Sequence, residues 1–185
     1  MKLHLGCGNK FLEGYKHIDF SNFEHIDWKS PIYPLPFIKS NSVKEIYSSH
    51  ALEYFDFFQV KDVLIEWRRC LNNDGKLRLS VPDFDKLLEV YKKNNFNIDK
   101  IIGPLFGRWI TTDKNFIYHK TVFTKPKLIE ILKSTGFSDI EEWNPLIHFG
   151  REKDSFDDYS KAYYPHMNFD NGFPISINIL GIKKE

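Results

Sequence analysis

The stretch that decides the fold is "KLHLGCGNKFLEGYKHIDF", Lys2 to Phe20. Lys2–Leu5 alternates polar and apolar residues and then breaks into Gly6-Cys7-Gly8, the pattern of a strand that ends in a tight turn. Lys16–Phe20 is a second apolar run carrying an acid, Asp19, at its end. In open α/β sheets ligands bind outside the carboxyl ends of the strands. Glycines there permit positive φ and remove the Cβ atoms that hold a ligand away. A bare Gly-x-Gly is most often an ordinary tight turn, so the neighbouring residues decide. A dinucleotide fingerprint needs a third glycine where this chain has Phe11, which disfavours nicotinamide and flavin. No Gly-Lys-Ser/Thr phosphate loop occurs. The remaining reading is a ribose held by the acid that ends the second strand, in a nucleoside whose other end is not pyrophosphate.

Outward from this turn the chain continues as an α/β alternation. A third short strand is expected at Glu24–Asp27, and "SPIYPLPF" (Ser30–Phe37) is excluded from helix interior and central strand by its prolines. Ser42–Ser48 reads as a strand. Phe55–Leu71 has Phe57, Val60, Leu64, Trp67 and Leu71 at helical spacing, with "NNDG" (Asn72–Gly75) as the turn that ends it. Lys76–Val81 is a strand stopped by Pro82. Asp83–Lys93 and Pro126–Ser134 read as helices, Ile98–Trp109 as a helix broken by Gly103, Pro104 and Gly107. Ser138–Trp143 and Pro174–Lys184 read as the last strands. The fold class is α/β, a mostly parallel Rossmann-like sheet with helices on both faces.

Bulk properties narrow the function. One domain covering residues 1–185 is the size expectation. A net charge of +1 offers no footprint for nucleic acid and no polybasic patch for a membrane surface. Cys7 and Cys70 form neither a disulfide framework nor a metal-spacing pattern. No apolar run approaches the ~20 residues of a membrane span. A cytoplasmic protein with no metal is the expectation.

Three ordered segments carry a resemblance. "LHLGCGNK" resembles the first motif of class I S-adenosylmethionine-dependent methyltransferases. "IDW" followed by "YPLPFIKSNSVKEIYSSHALEYF" resembles that family's Asp…LPF…LEH stretch, and "LIEWRRCLNNDGKLRLSVPDF" its L-x-E-x-x-R-V-L-K-P-G-G…V-P-D segment. "HKTVFTKPKLIEILKSTGF" and the closing segments resemble its short bacterial subgroup. The resemblance implies S-adenosylmethionine as cofactor and an antiparallel last strand. It implies Gly6, Cys7 and Gly8 under the methionine part, Asn9 as a polar neighbour, and Asp19 on the ribose hydroxyls. Phe20 is then expected against the adenine, Asp27 and Trp28 near its amine, and Ser48 and Ser49 next to the sulfonium. It implies O- or N-methylation of a small-molecule or sugar-containing acceptor. A non-catalytic cofactor-binding module or partner subunit is the alternative.

A hydroxyl acceptor benefits from a general base near working pH, and histidine fits. His50, after the fourth strand, and His119, in "YHKTVFT", are the catalytic candidates; His148 and His166 rank below them. Asp83 is an acceptor-side carboxylate or a helix N-cap. Asp154, Asp157 and Asp158 read as a solvated acidic loop. "LEY" (Leu52–Tyr54) stands where the family has LEH. The path from Gly8 to Asp19 is short for a crossover, which normally needs ~10–12 residues. The aromatic segment Ile147–Asn171 is expected to supply part of the missing cover.

Overall fold

The computed structural model describes residues 1–111, 114–152 and 155–185. Its sheet has seven strands: β1 (Lys2–Leu5), β2 (Lys16–Asp19), β3 (Trp28–Lys29), β4 (Val43–Ser49), β5 (Leu71–Pro82), β6 (Phe137–Glu142) and β7 (Ser176–Lys183), in the order β3-β2-β1-β4-β5-β7-β6. β1 to β5 are parallel, and β7 runs antiparallel between β5 and β6. The order reverses between β1 and β4, so a crevice opens at their carboxyl ends.

Alternation along the strands sends residues to two different faces. Leu3, Leu5, Ile18, Ile46, Leu77, Leu79, Val81, Ile177 and Ile179 form one core with helices α1 (Gln59–Cys70) and α3 (Lys125–Ser134). Trp67 lies at its centre, fully buried, its indole N–H donating to the Ile32 carbonyl at 2.9 Å. The other face takes the intervening residues, among them His4 and Tyr47. No helix fills Gly6–Tyr15, so Leu12 and Tyr15 of the short crossover share this cover with Trp143, Phe149 and Phe156. The short helical turns Pro145–His148 and Tyr159–Lys161 lie in the same segment. A third helix, α2 (Phe84–Lys93), packs Leu87 and Val90 against Ile101, Tyr164 and Phe173.

Several boundaries differ from the sequence expectation, each for a local reason. The third strand is Trp28–Lys29, not Glu24–Asp27. Phe23–Ile26 closes as a turn, and Trp28 is the residue that registers with Ile18. α1 begins at Gln59 because Asp56 Oδ1 accepts the Phe58 and Gln59 N–H groups, leaving Phe55–Phe58 outside the helix. Asn72–Gly75 lies within β5 and not in a turn: Leu71 is already buried and strand-paired, and the irregular step is absorbed by Asp74 at φ +59°. Ile98–Trp109 divides into a 3-10 turn (Ile98–Lys100) and a short helix (Ile102–Phe106), ended by Gly107 at φ +49°. Two antiparallel ribbons had no signal in the sequence pattern: Trp109–Ile110 with Phe116–Ile117, and Tyr163–Tyr164 with Phe173–Pro174.

Candidate functional site

The Gly-Cys-Gly turn sits at the carboxyl end of β1. Gly6 has φ +66° and Gly8 φ +53°. A Cβ on Gly6 would stand 2.6 Å from the Ala51 Cβ, so the backbone after β4 lies directly on this glycine. Over Gly8 the cover is the Trp109 indole, 3.4 Å from where a Cβ would be. Asp19, at the end of β2, is 4 % exposed and fixed by two backbone donors: Gly8 N–H to Oδ2 at 2.8 Å and Ser21 N–H to Oδ1 at 2.7 Å. Each carboxylate oxygen thus keeps a lone pair for a further donor. The glycine turn and the acid form one unit held together by the Gly8–Asp19 bond.

The other sequence-selected residues divide into two groups. Cys7 is buried in the turn, and burial, reinforced by Asp19, pushes its thiol up to about 12. Asn9 and Phe20 are exposed beside the turn. Ser48 donates to the Leu5 carbonyl at 3.1 Å and ties β4 to β1; Ser49 is the last residue of β4. Asp27 and Trp28 belong to the start of the third strand, beside β2. Because β3 starts at Trp28, Asp27 stands at the strand's amino end, where it accepts from Lys16 Nζ at 2.6 Å and His17 N–H at 2.8 Å. Trp28 packs on the core side, 6.0 Å from the Phe37 ring. Neither side chain hydrogen-bonds the turn, although the Asp27 charge helps to raise the Cys7 thiol.

Beyond β4 the chain turns sharply at His50, whose φ of +49° is a strained value for a side-chain-bearing residue. Its Nε2 bonds Ser176 Oγ at 2.8 Å, and its Nδ1 stands 3.5 Å from Glu53 Oε1. His119 presents Nε2 to the same Oε1 at 3.6 Å. The structure therefore joins both histidines through Glu53, a residue the motif reading passed over. Its sequence signal is an acid inside the apolar run "ALEYF". Glu53 is fully buried, and neither of its oxygens has a hydrogen-bond partner. Burial raises its carboxyl to about 8 and lowers His50 to about 3; burial lowers His119 as well. His119 is packed so closely on Gly107 that a Cβ there would fall 2.1 Å from Nε2. From Gly107 an open groove of about 350 Å³ runs outward along Ile102, Phe106, Arg108 and Tyr118.

The remaining candidates have structural roles. Asp83 Oδ1 accepts from Lys86 N–H at 3.2 Å and caps α2. His148 packs its ring on Trp143 and Phe149, and His166 is exposed. Of the acidic loop, Asp158 is not solvated as expected: it accepts from Tyr47 O–H at 2.5 Å and from Ser160 N–H at 2.8 Å, and burial raises its carboxyl. Asp157 is exposed, and Asp154 lies outside the described residues. Among the described residues no three His, Cys, Asp or Glu side chains are placed to hold a metal ion, and no helix is long and apolar enough to cross a membrane. Of the Ile147–Asn171 segment, Phe149 and Phe156 lie on the sheet face beside the short crossover, Phe156 6.0 Å from the His4 ring; Tyr159 stands 5.3 Å from His50, and Tyr164 packs toward α2. The ring over Gly8 comes instead from Trp109.

No family model and no curated protein matches the chain. Solved structures do. A SAM-dependent methyltransferase of Thermotoga maritima, described as a possible histamine N-methyltransferase, superposes with a TM-score of 0.57 at 17 % identity, over 99 % of this chain and 82 % of that one. One from Archaeoglobus fulgidus gives 0.56 at 16 %, covering 98 % and 85 %. The 1,6-didemethyltoxoflavin-N1-methyltransferase of Burkholderia thailandensis, bound to 1,6-didemethyltoxoflavin and S-adenosylhomocysteine, gives 0.56 at 11 %, covering 100 % and 71 %. The chain has the fold of the class I S-adenosylmethionine-dependent methyltransferases.

Proposed function

We propose that the chain is an S-adenosylmethionine-dependent methyltransferase acting on a small-molecule acceptor. The observation that supports this most directly is the Gly8–Asp19–Ser21 arrangement. A buried carboxylate is held by two backbone N–H groups and keeps lone pairs for two hydroxyls, next to a turn stripped of Cβ atoms. That donor set fits a ribose and a thioether chain, and it has no cradle for a pyrophosphate. Gly6, Cys7 and Gly8 would line the methionine part through backbone, Asp19 would take the ribose hydroxyls, and Phe20 would offer its exposed ring to the base. When bound, the cofactor supplies an activated methyl group on a sulfonium.

The chain's own residues orient, exclude water and handle the proton. Ala51 and Trp109 flank the turn and limit solvent around it. Alignment is most of the task for an in-line displacement with a good leaving group. The groove that would take the acceptor reaches Gly107, against which His119 packs, with Ile102, Phe106 and Tyr118 as apolar walls and Arg108 as the cation. That lining favours an acceptor with an apolar or aromatic body over a bare sugar, with oxygen or nitrogen as the methylated atom. Calorimetric titration with S-adenosylmethionine tests the reading: micromolar-range binding with one site per chain supports it. Absence of binding to S-adenosylmethionine and to S-adenosylhomocysteine refutes it.

A further inference from the structure

We infer that Glu53 is a positioning residue that binds His50 and His119 into one proton-holding unit beside the cofactor turn. The inference rests on the methyltransferase reading for its purpose but not for its geometry.

Hydrogen-bond polarity assigns the protons. Ser176 Oγ donates its single proton to the Tyr159 carbonyl at 2.8 Å, so it accepts from His50 Nε2, also at 2.8 Å. A neutral His50 then turns a bare Nδ1 to Glu53. His119 presents Nε2 to the same oxygen, with the Leu105 and Pro104 carbonyls also against its ring. Two ring nitrogens thus converge on one carboxyl oxygen, at 3.5 and 3.6 Å. The resting charge state that suits this arrangement is a protonated Glu53 between two neutral rings, and burial favours it. The other titratable groups facing the unit are phenols: Tyr54, edge-on to His119 at 4.8 Å, and Tyr159 against His50. Lys120 gives only its backbone N–H, to the Glu53 carbonyl, and its side chain is exposed.

Methylation of a neutral hydroxyl or amine breaks the carbon–sulfur bond, leaves its electron pair on sulfur, forms the carbon–oxygen or carbon–nitrogen bond and frees one proton. The resting unit can take that proton. The released proton and the Glu53 proton then make both rings imidazolium, with the Glu53 carboxylate between His50 Nδ1–H and His119 Nε2–H. Both gaps would close to charge-assisted hydrogen bonds, which are shorter and stronger than neutral ones. Neither ring alone offers this, because a buried imidazolium without a counter-charge is costly. The left-handed backbone at His50 is consistent with a ring held in place for function.

Glu53→Gln tests the assignment. Its amide keeps the size of the carboxyl and offers both a donor and an acceptor to the rings, so packing survives, but the group can neither give nor take a proton. Nitrogen-15 shifts of the two rings, followed from pH 5 to 9 without cofactor, should show a common transition near pH 8 in the wild type. The transition should be absent in Glu53→Gln. With cofactor and a turned-over acceptor, kcat should fall at least ~10-fold at unchanged KM, with the melting temperature and S-adenosylhomocysteine affinity preserved. A transition that persists in Glu53→Gln, one that reaches a single ring, or its absence in the wild type overturns the proposal. So does a stoichiometric divalent metal that Glu53→Gln loses. A common transition in a protein that binds no S-adenosylmethionine would leave the unit standing and refute the methyltransferase reading alone.

Discussion

Replacing Asp19 by alanine separates the two tasks that the structure gives this carboxylate. The first is internal: it accepts the N–H groups of Gly8 and Ser21 at 2.8 and 2.7 Å. Hydrogen bonds to a charged group contribute about 1.5–3 kcal/mol each. The freed turn can recover water on its open side, so roughly 2 kcal/mol of net destabilisation is expected for the pair. For a chain of this size that is a fall of about 4–8 °C in melting temperature. The second task is external: two hydroxyls of a ribose, again at about 1.5–3 kcal/mol each. Their loss weakens cofactor binding by about 3–6 kcal/mol, a factor of roughly 10²–10⁴ in Kd. Calorimetry with S-adenosylhomocysteine on the folded variant measures the second effect, and thermal unfolding without ligand measures the first. Adenosine alone, which carries the ribose but no amino-acid chain, should lose affinity by a similar factor. A Kd that changes less than ~5-fold while the melting temperature falls as expected would show that Asp19 only braces the turn. The ribose assignment would then fail.

Other outcomes follow from the same geometry. Gly6→Ala puts a methyl 2.6 Å from Ala51 Cβ at φ +66°; roughly 1–3 kcal/mol of destabilisation and loss of cofactor affinity should appear together in melting and titration experiments. Trp109→Phe should leave stability within about 1 kcal/mol but abolish a fluorescence change on S-adenosylhomocysteine binding that the wild type, with its indole on Gly8, should show. Burial, with His17 and His25 nearby, lowers His4 to about 3 from an ordinary 6.5. Between those values the unfolded chain binds the extra proton, so stability present above pH 6.5 is lost as the pH falls. Denaturant unfolding at pH 4 to 7 should show His4→Phe flattening this acid limb by up to about 1.4 kcal/mol per pH unit. Cys7 and Cys70, buried thiols raised to about 12 and 11, should resist a maleimide at pH 8 in the native state and react once unfolded.

The parts of the site readable in the sequence are those set by one strand end. Gly6, Gly8 and Asp19 follow from strand-turn-strand chemistry over a few residues, and the structure places them against one another. The third strand shows the limit. Glu24–Asp27 reads as a strand, but a two-residue strand is positioned by pairing with β2, and that pairing begins at Trp28. The Asn72–Gly75 turn signal was likewise overridden, because Leu71 is held in the core and the chain enters β5 at once. Glu53 and Trp109 were out of reach for another reason. Each acts through residues distant in sequence, Glu53 through His119 and Trp109 through Gly8, and hydrophobic periodicity carries no information about such meetings.

The shortened crossover ties the fold to the site. A helix between β1 and β2 would cover the face that carries His4, His17 and Tyr47. Here that face is covered by Leu12 and Tyr15 from the crossover and by Trp143, Phe149 and Phe156 from the segment before β7. That segment is anchored at its inner end by two polar links: the Tyr47–Asp158 bond and the bond from Asn178 Nδ2 to the Ser160 carbonyl at 3.0 Å. Tyr159 lies between these anchors, so the same links that seal the sheet set its ring against His50, and its carbonyl receives the Ser176 proton. Cover of the sheet and the proton assignment of His50 therefore depend on one stretch of chain. Weakening it at Asp158, where a buried carboxyl accepts a tyrosine hydroxyl, should loosen both together. Asp158→Ala leaves the Tyr47 hydroxyl without its acceptor in a fully buried position, which costs about 1–3 kcal/mol. Hydrogen exchange should rise across Phe149–Tyr164 and at Ser176, while the Gly6–Asp19 turn, held by its own bonds, stays protected. Exchange that rises at the turn but not at Ser176 would mean that this segment does not support the histidine unit.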